Sequence, residues 1–159
     1  MALSKDLVGT HYRYPDYYQV EREKIREYAT AVRNSDPAFF DDDAAADLGY
    51  DGLLSPLTFI SVLGYAAQTA FFDHADIGIT DKQIVHVDQV LKFRKPVTAG
   101  DTLYCDVYVD DVRQAHGTDI IVNKVVITNQ DGEIVQETYT TLAGRSDDSG
   151  ESGFNDGLA

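Results

Sequence analysis

Four histidines, one cysteine and twenty-seven carboxylates are the side chains from which this 159-residue chain would have to assemble acid–base, nucleophilic or metal chemistry. His11, His74, His86 and His116 stand in unrelated local contexts, so no His-x-x-x-His metal pair exists. Each reads first as a surface or loop imidazole. His86 is the most interesting, because it falls within a strand-like run beside Asp88 and the two make a candidate acid–base pair. His116, next to Gly117, reads as turn chemistry. Cys105 falls on the apolar face of its strand, as a small core residue does. No serine sits in a G-x-S-x-G elbow. Gly49-Tyr50-Asp51-Gly52 lacks the G-x-G-x-x-G spacing and follows a helix rather than a strand. Asp41-Asp42-Asp43 lacks the spaced oxygen ligands and central glycine of a calcium loop, and reads as a helix start. No cofactor and no metal is implied.

The elements that must position these residues belong to one domain, since 159 residues would leave two domains with cramped cores. The net charge is −14. Phosphate backbones and anionic membranes need clustered cations, so nucleic acid and membrane surfaces are excluded as expected partners. A single cysteine forms no internal disulfide and suits a reducing compartment. The N-terminus shows no apolar segment behind a basic start. The longest apolar stretch, 56–72, is shorter than a bilayer span and contains Thr58, Ser61, Gln68 and Thr69. A cytoplasmic chain is expected. The tail 146–159 is Ser, Asp and Gly with little to bury, and is expected to be disordered. It removes four acids from the count, so residues 1–145 carry −10.

Periodicity places the elements. Residues 10–20 read as an extended aromatic arm broken by Pro15. Over 21–33, Ile25, Tyr28, Ala29 and Val32 recur at helical spacing, and Asp36-Pro37 stops the helix. Asp41 caps a short helix to Leu48. A central helix spans 55–72, with Ser55 as cap and Pro56 in the first position. It is apolar on nearly every face, which predicts that protein surrounds it, and Gly64, Ala66, Ala67 and Ala70 would let a sheet approach closely. From residue 83 the period becomes two. Val85, Val87, Leu91 and Phe93 fall on one face of a strand, with His86, Asp88, Lys92 and Arg94 on the other. Strands follow over 102–113, 118–128 and 133–143, joined by turns at Ala115-His116-Gly117 and Asn129-Gln130-Asp131-Gly132. Helices followed by long antiparallel strands predict an α+β fold in which a curved sheet wraps one helix.

Three segments then carry a resemblance. Ala44-Ala45-Ala46-Asp47-Leu48-Gly49-Tyr50-Asp51-Gly52-Leu53-Leu54-Ser55-Pro56-Leu57-Thr58-Phe59 is the first. Residues 83–93 with Lys95-Pro96-Val97-Thr98-Ala99-Gly100-Asp101-Thr102-Leu103 form the second, and residues 136–144 the third. Together they resemble the MaoC-like hydratase and dehydratase branch of the hot-dog fold, and within it the HadA-type subunits of heterodimeric (3R)-hydroxyacyl-ACP dehydratases. The likeness extends to about residue 145. It implies a single hot-dog domain over 1–145 that acts on an acyl-ACP thioester without a cofactor.

The resemblance also marks what is missing. Dehydration of a 3-hydroxyacyl thioester needs a base, an acid, and donors for the thioester oxygen. The family supplies Asp and His five residues apart in a G-D-x-N-P-[LIV]-H-x-D motif. Aligned on Pro37, this chain has Asn34 at the Asp position and Phe39 at the His position. A phenyl ring carries no proton, and an amide is not a carboxylate. Asp36 stands at the Asn position of the motif.

By resemblance, a HadB-like partner supplies the catalytic pair, while this chain provides stability and one wall of an acyl channel. Leu57, Ile60, Ser61, Gly64, Tyr65 and Gln68 are the expected lining, in a dry apolar tunnel, with His86 near the subunit boundary. Amide groups near Leu57 match the family's oxyanion site. Substrate-binding assignments thus fall on Leu57, Ser61, Tyr65 and His86, each with packing as the alternative role. Lys92, Arg94 and Lys95 are the densest cationic group available to an acidic carrier protein. A homodimeric acyl-thioester binding module without turnover, and an autonomous enzyme using His86 and Asp88, are the competing readings.

Overall fold

The computed structural model describes residues 3–75 and 84–145. The acidic tail and Gln83, which the sequence places at the start of a strand, lie outside the described residues. Two short strands, β1 (His11–Arg13) and β2 (Tyr18–Gln19), make up the N-terminal arm. Helix α1 (Arg22–Ala31), a 3-10 turn (Pro37–Phe39) and α2 (Asp42–Asp47) come next. A second 3-10 turn (Leu57–Ile60) leads into α3 (Ser61–Ala75). Four long strands complete the described chain: β3 (Ile84–Phe93), β4 (Thr102–Ala115), β5 (Thr118–Thr128) and β6 (Ile134–Arg145).

The sheet is antiparallel in the order β1-β4-β5-β6-β3, and β2 also pairs with β4. Bulges interrupt β3 at His86/Asp88 and β4 at Val109/Asp111. An extra residue bends its strand and increases the twist, so the sheet curls around α3. This is the α+β hot-dog architecture expected from the sequence. Both predicted turns form. Gly132 takes φ +76°, and His116 and Gly117 take +51° and +74°, the conformation a two-residue hairpin requires.

The core follows the period of two. Leu103, Cys105, Val107 and Val109 point inward from β4, as do Ile121, Val125 and Ile127 from β5. Against them α3 buries Leu63, Ala67 and Phe71. The helix packs on β4 and β5. Helix α1 buries Ile25 and Ala29 and ties itself to the second 3-10 turn, where the Tyr28 hydroxyl donates to Thr58 Oγ1 at 2.9 Å.

Several expectations are corrected. The central helix does not start at Ser55. Pro56 is extended (ψ 145°), and the Ser55 amide donates to the Val97 carbonyl at 2.9 Å, so this segment pairs with residues 97–99 instead of capping a helix. Protein does not surround α3 within one chain: Tyr65 is 74% exposed and Val62 is exposed too. Of the small residues, only Ala67 is fully buried, and a Cβ built on Gly64 would meet nothing within 4 Å. Val32 is exposed, because α1 ends at Ala31 and Arg33 turns left-handed at φ +57°.

Candidate functional site

Two cavities adjoin the start of α3, and Ile60 borders both. Between them they are lined by the four residues assigned to substrate binding, though not grouped as expected.

The first cavity, about 340 Å³, lies between α3 and the β6–β3 half of the sheet. The packing of α3 explains it: the helix rests on β4 and β5 and stands off from the concave face of the last two strands. Ser61, Gly64, Tyr65 and Gln68 line it from the helix, and His86 and Gln89 from β3. Three of the four assigned binding residues, Ser61, Tyr65 and His86, are therefore brought together. The fourth, Leu57, lines the other cavity.

This chamber is not lined by apolar residues alone, as the tunnel implied by the resemblance would be. Its floor on β6 is Gln136, Thr138, Thr140 and Leu142. The first three residues are buried, and Gln136 Nε2 donates to Thr138 Oγ1 at 2.8 Å. The sequence offered a faint signal for this floor. Val135 and Tyr139 alternate with the polar residues, and an alternating strand is usually read with its polar face outward.

The strand opposite also departs from its expected alternation. The bulge on β3 pairs His86 with Leu142 and Asp88 with Thr141, leaving Val87 as the extra residue. Parity shifts there, so His86 shares its face with Gln89 and the strand's later inward residues rather than with Asp88. Val85 and Val87, which the alternation places on one face with Leu91 and Phe93, are more than half exposed. The imidazole lies 3.1 Å from the Asp88 backbone carbonyl, so its hydrogen-bond partner there is a peptide group and not the carboxylate.

The second cavity, about 310 Å³, is the more apolar. Phe39, Leu54, Leu57, Ile60, Phe93, Pro96 and Val97 line it, with Tyr50, Ser55, Arg94 and Lys95. Phe39 is positioned by its turn. Asp36 accepts from the Ala38 amide at 3.0 Å, Pro37 takes the first position, and Phe39 is then 8% exposed. Asn34 is exposed, and its Oδ1 accepts from the Asp36 amide at 3.3 Å. The two positions that would carry a proton relay thus hold a packed ring and a turn-forming amide.

The charged residues nearby are mostly paired. Glu137 accepts from Arg94 at 2.7 Å and pairs with Lys124 at 3.2 Å, and these two cations hold its carboxyl below the usual glutamate range. Lys95 pairs with Glu133, and Lys92 lies 4.6 Å from the Tyr139 ring centroid. The expected cationic group is therefore engaged within its own sheet. Cys105 is fully buried, and burial pushes its thiol up to about 12, which excludes a thiolate nucleophile near neutral pH. Among the described residues, no three His, Cys, Asp or Glu side chains converge on a possible metal site, and no helix is long and apolar enough to cross a membrane.

Comparison with known proteins agrees with this geometry. Residues 6–138 match the model of the FAS1-like dehydratase domain region. A UPF0336 protein of Mycobacterium leprae is 67% identical over 159 residues, covering 100% of both chains. One chain of the C-terminally truncated HadBC (3R-hydroxyacyl-ACP dehydratase) complex of Mycobacterium tuberculosis superposes with a TM-score of 0.79 at 49% identity, over 87% of this chain and 98% of that one. A solved MaoC-like dehydratase gives a TM-score of 0.82 at 36% identity, over 91% of this chain and 44% of the other. The fold and site define a hot-dog protein of the MaoC-like dehydratase class. Within that class, the chain belongs to the FAS1-like dehydratase domain family, with UPF0336 proteins among its relatives.

Proposed function

We propose that this chain is the HadA-type, non-catalytic subunit of a cytoplasmic heterodimeric (3R)-hydroxyacyl-ACP dehydratase, with Asp and His supplied by a HadB-like partner. The observation that carries the proposal is Phe39, an 8%-exposed phenyl ring on an apolar cavity at the position where the family motif has its histidine. No protonation equilibrium is available to it at any pH. Asn34, exposed on its turn, supplies no carboxylate.

The open side of the molecule supports a partner. β3 is the last strand of the sheet, so one of its edges is unpaired among the described residues. Exposed Val85, Val87 and Val90 stand along it, and Tyr65, Val62 and Leu57 are exposed on the helical segment. An unpaired edge bearing apolar side chains calls for cover. A second hot-dog subunit would provide that cover and place its catalytic pair against the cavities described above. In this arrangement Ser61, Tyr65 and His86 contact the substrate from one cavity, Leu57 contacts it from the other, and amides near Leu57 face the thioester oxygen. The acidic carrier protein docks mainly on the partner, because Arg94 and Lys95 already hold Glu137 and Glu133.

The experiment is co-expression with a hot-dog chain bearing the intact hydratase motif. A 1:1 complex that eliminates water from a 3-hydroxyacyl-ACP, together with silence of the purified chain alone, is the expected outcome. Turnover by the pure chain, lost in His86→Ala, would replace this reading with an autonomous enzyme. A stable homodimer that binds acyl thioesters, and that no such partner activates, would replace it with a binding module.

A further inference from the structure

We propose that the floor of the cavity between α3 and β6 binds one neutral group that both donates and accepts hydrogen bonds, an alcohol or a secondary amide, carried on a largely apolar ligand. The inference rests on the preceding reading for its view that an elongated substrate enters this cavity.

The floor is a side-chain pair. Gln136 is 1% exposed and lines the cavity, and its Nε2 donates to Thr138 Oγ1 at 2.8 Å. Gln136 Oε1 is buried and has no hydrogen-bond partner among the described residues. A buried acceptor left unmatched costs on the order of 1–3 kcal/mol, so a site holding one favours a ligand that supplies the missing bond. Thr138 has spent a lone pair on Gln136 and keeps its own hydroxyl hydrogen to donate. The pair therefore offers an unmatched acceptor beside at least one donor. Turning the Gln136 amide over exchanges the roles and still leaves an acceptor, now on Thr138, beside a donor, so the complement is the same: a group that gives one hydrogen bond and takes another.

Charge selects further. Among the described residues, no Asp, Glu, Lys or Arg lines this cavity. An ammonium would enter without a counter-ion, and a carboxylate would meet only the exposed His86 imidazole, away from the buried floor, whereas a neutral polar group pays a far smaller desolvation cost. The polar band also continues across the sheet. Thr140 is the register partner of Asn123 on one side and of Gln89 on the other, and Asn123 is fully buried with neither amide atom partnered among the described residues. Apolar Ile60, Phe72 and Leu142 line the same cavity and suit the rest of the ligand.

The test uses the full chain, in its partner complex where one forms, and probes that carry no thioester. Calorimetry would compare 1-octanol with heptyl methyl ether, and N-pentylpropanamide with its N-methylated tertiary amide. Octanoate is the charged control. The unblocked member of at least one pair should bind about tenfold tighter, the worth of one good hydrogen bond, and octanoate should bind weakest. The pair with the larger ratio distinguishes a hydroxyl on the chain from an amide in the thioester arm. Gln136→Met should bring that ratio within twofold and leave ether binding intact. Thr138→Val provides the same test should Gln136→Met fail to fold. Equal binding of blocked and unblocked probes, a ratio that survives both substitutions, or no binding of any probe would overturn the proposal. Discrimination that persists in a protein without dehydratase activity in any complex would remove the functional reading and leave the site.

Discussion

His86 and Gln89, three residues apart on β3, line the same cavity because Val87 is bulged out between them. In an unbroken strand, residues three apart face opposite ways. One extra residue therefore decides whether the imidazole faces the cavity or the other side of the sheet. His86→Leu should keep the fold, since the ring is exposed in the single chain. It should lower the affinity of the complex for substrate without abolishing turnover, visible as a rise in KM larger than the fall in kcat. A collapse of kcat with unchanged KM would instead make His86 part of the chemistry.

Phe39 and Asn34 stand five residues apart at the two degenerate motif positions, yet their environments differ. Phe39→Ala would enlarge an existing cavity beneath a packed 3-10 turn, and should cost about 3 kcal/mol. Asn34→Ala removes one exposed hydrogen bond to the Asp36 amide, and should cost about 1 kcal/mol or less. Urea unfolding of the two variants checks the contrast. Equal small costs would show that Phe39 does not contribute to packing.

Much of this was legible beforehand, for identifiable reasons. β4 announces itself because Leu103, Cys105, Val107 and Val109 alternate without exception, and all four are buried. Gly132 and Gly117 mark hairpins because few other residues take positive φ without strain. The start of α3 was misread because Ser55-Pro56 satisfies two different rules. It fits a helix cap, and it equally fits an extended segment whose amide bonds Val97, and only the distant strand decides. The bulge at Val87 was hidden because a β-branched residue there fits the alternation perfectly well as a strand former. The polar cavity floor leaves only the alternation on β6 as a local trace, for a related reason: which face of β6 turns inward is set by where α3 rests, a tertiary fact.

The Glu137 cluster gives the fold a pH dependence. Arg94 first, and then Lys124, hold its carboxyl below its ordinary value near 4.5. A carboxyl depressed in the folded state contributes stability that is present above the unfolded value and lost as pH falls through the folded value. Glu137→Gln should therefore destabilise the chain at pH 7 by about 0.5–1 kcal/mol, a figure kept small because Arg94 is half exposed. The difference from the parent should shrink progressively below pH 4.5. Denaturant midpoints at pH 7, 5 and 3.5 test this. A gap that stays constant down to the lowest pH would show that the carboxylate is not the source.

Cys105 should be silent to thiol reagents in the folded chain. It is fully buried, with a thiol pushed to about 12, so both access and thiolate are lacking. Labelling with a chromogenic disulfide should proceed only at the rate of opening of the β4–β5 core, and should become complete and rapid in denaturant. Rapid labelling of the native chain would contradict the core packing drawn here.

Gly64 tests the cavity from the helix side. It lies one turn after Ile60, faces the chamber, and a Cβ there meets no atom within 4 Å. A glycine inside a helix costs about 0.5–1 kcal/mol relative to alanine through its excess unfolded-state freedom. Gly64→Ala should thus raise stability by about that amount, with little change in ligand binding. Gly64→Leu should also fold, because its side chain grows into open volume, but it fills space that the proposed substrate path needs. In the active complex its KM should rise at least severalfold while the thermal midpoint holds or increases. A destabilised Gly64→Leu, or one with unaltered substrate affinity, would mean that the chamber between α3 and β6 is closed off in the assembled protein and that the acyl group travels elsewhere.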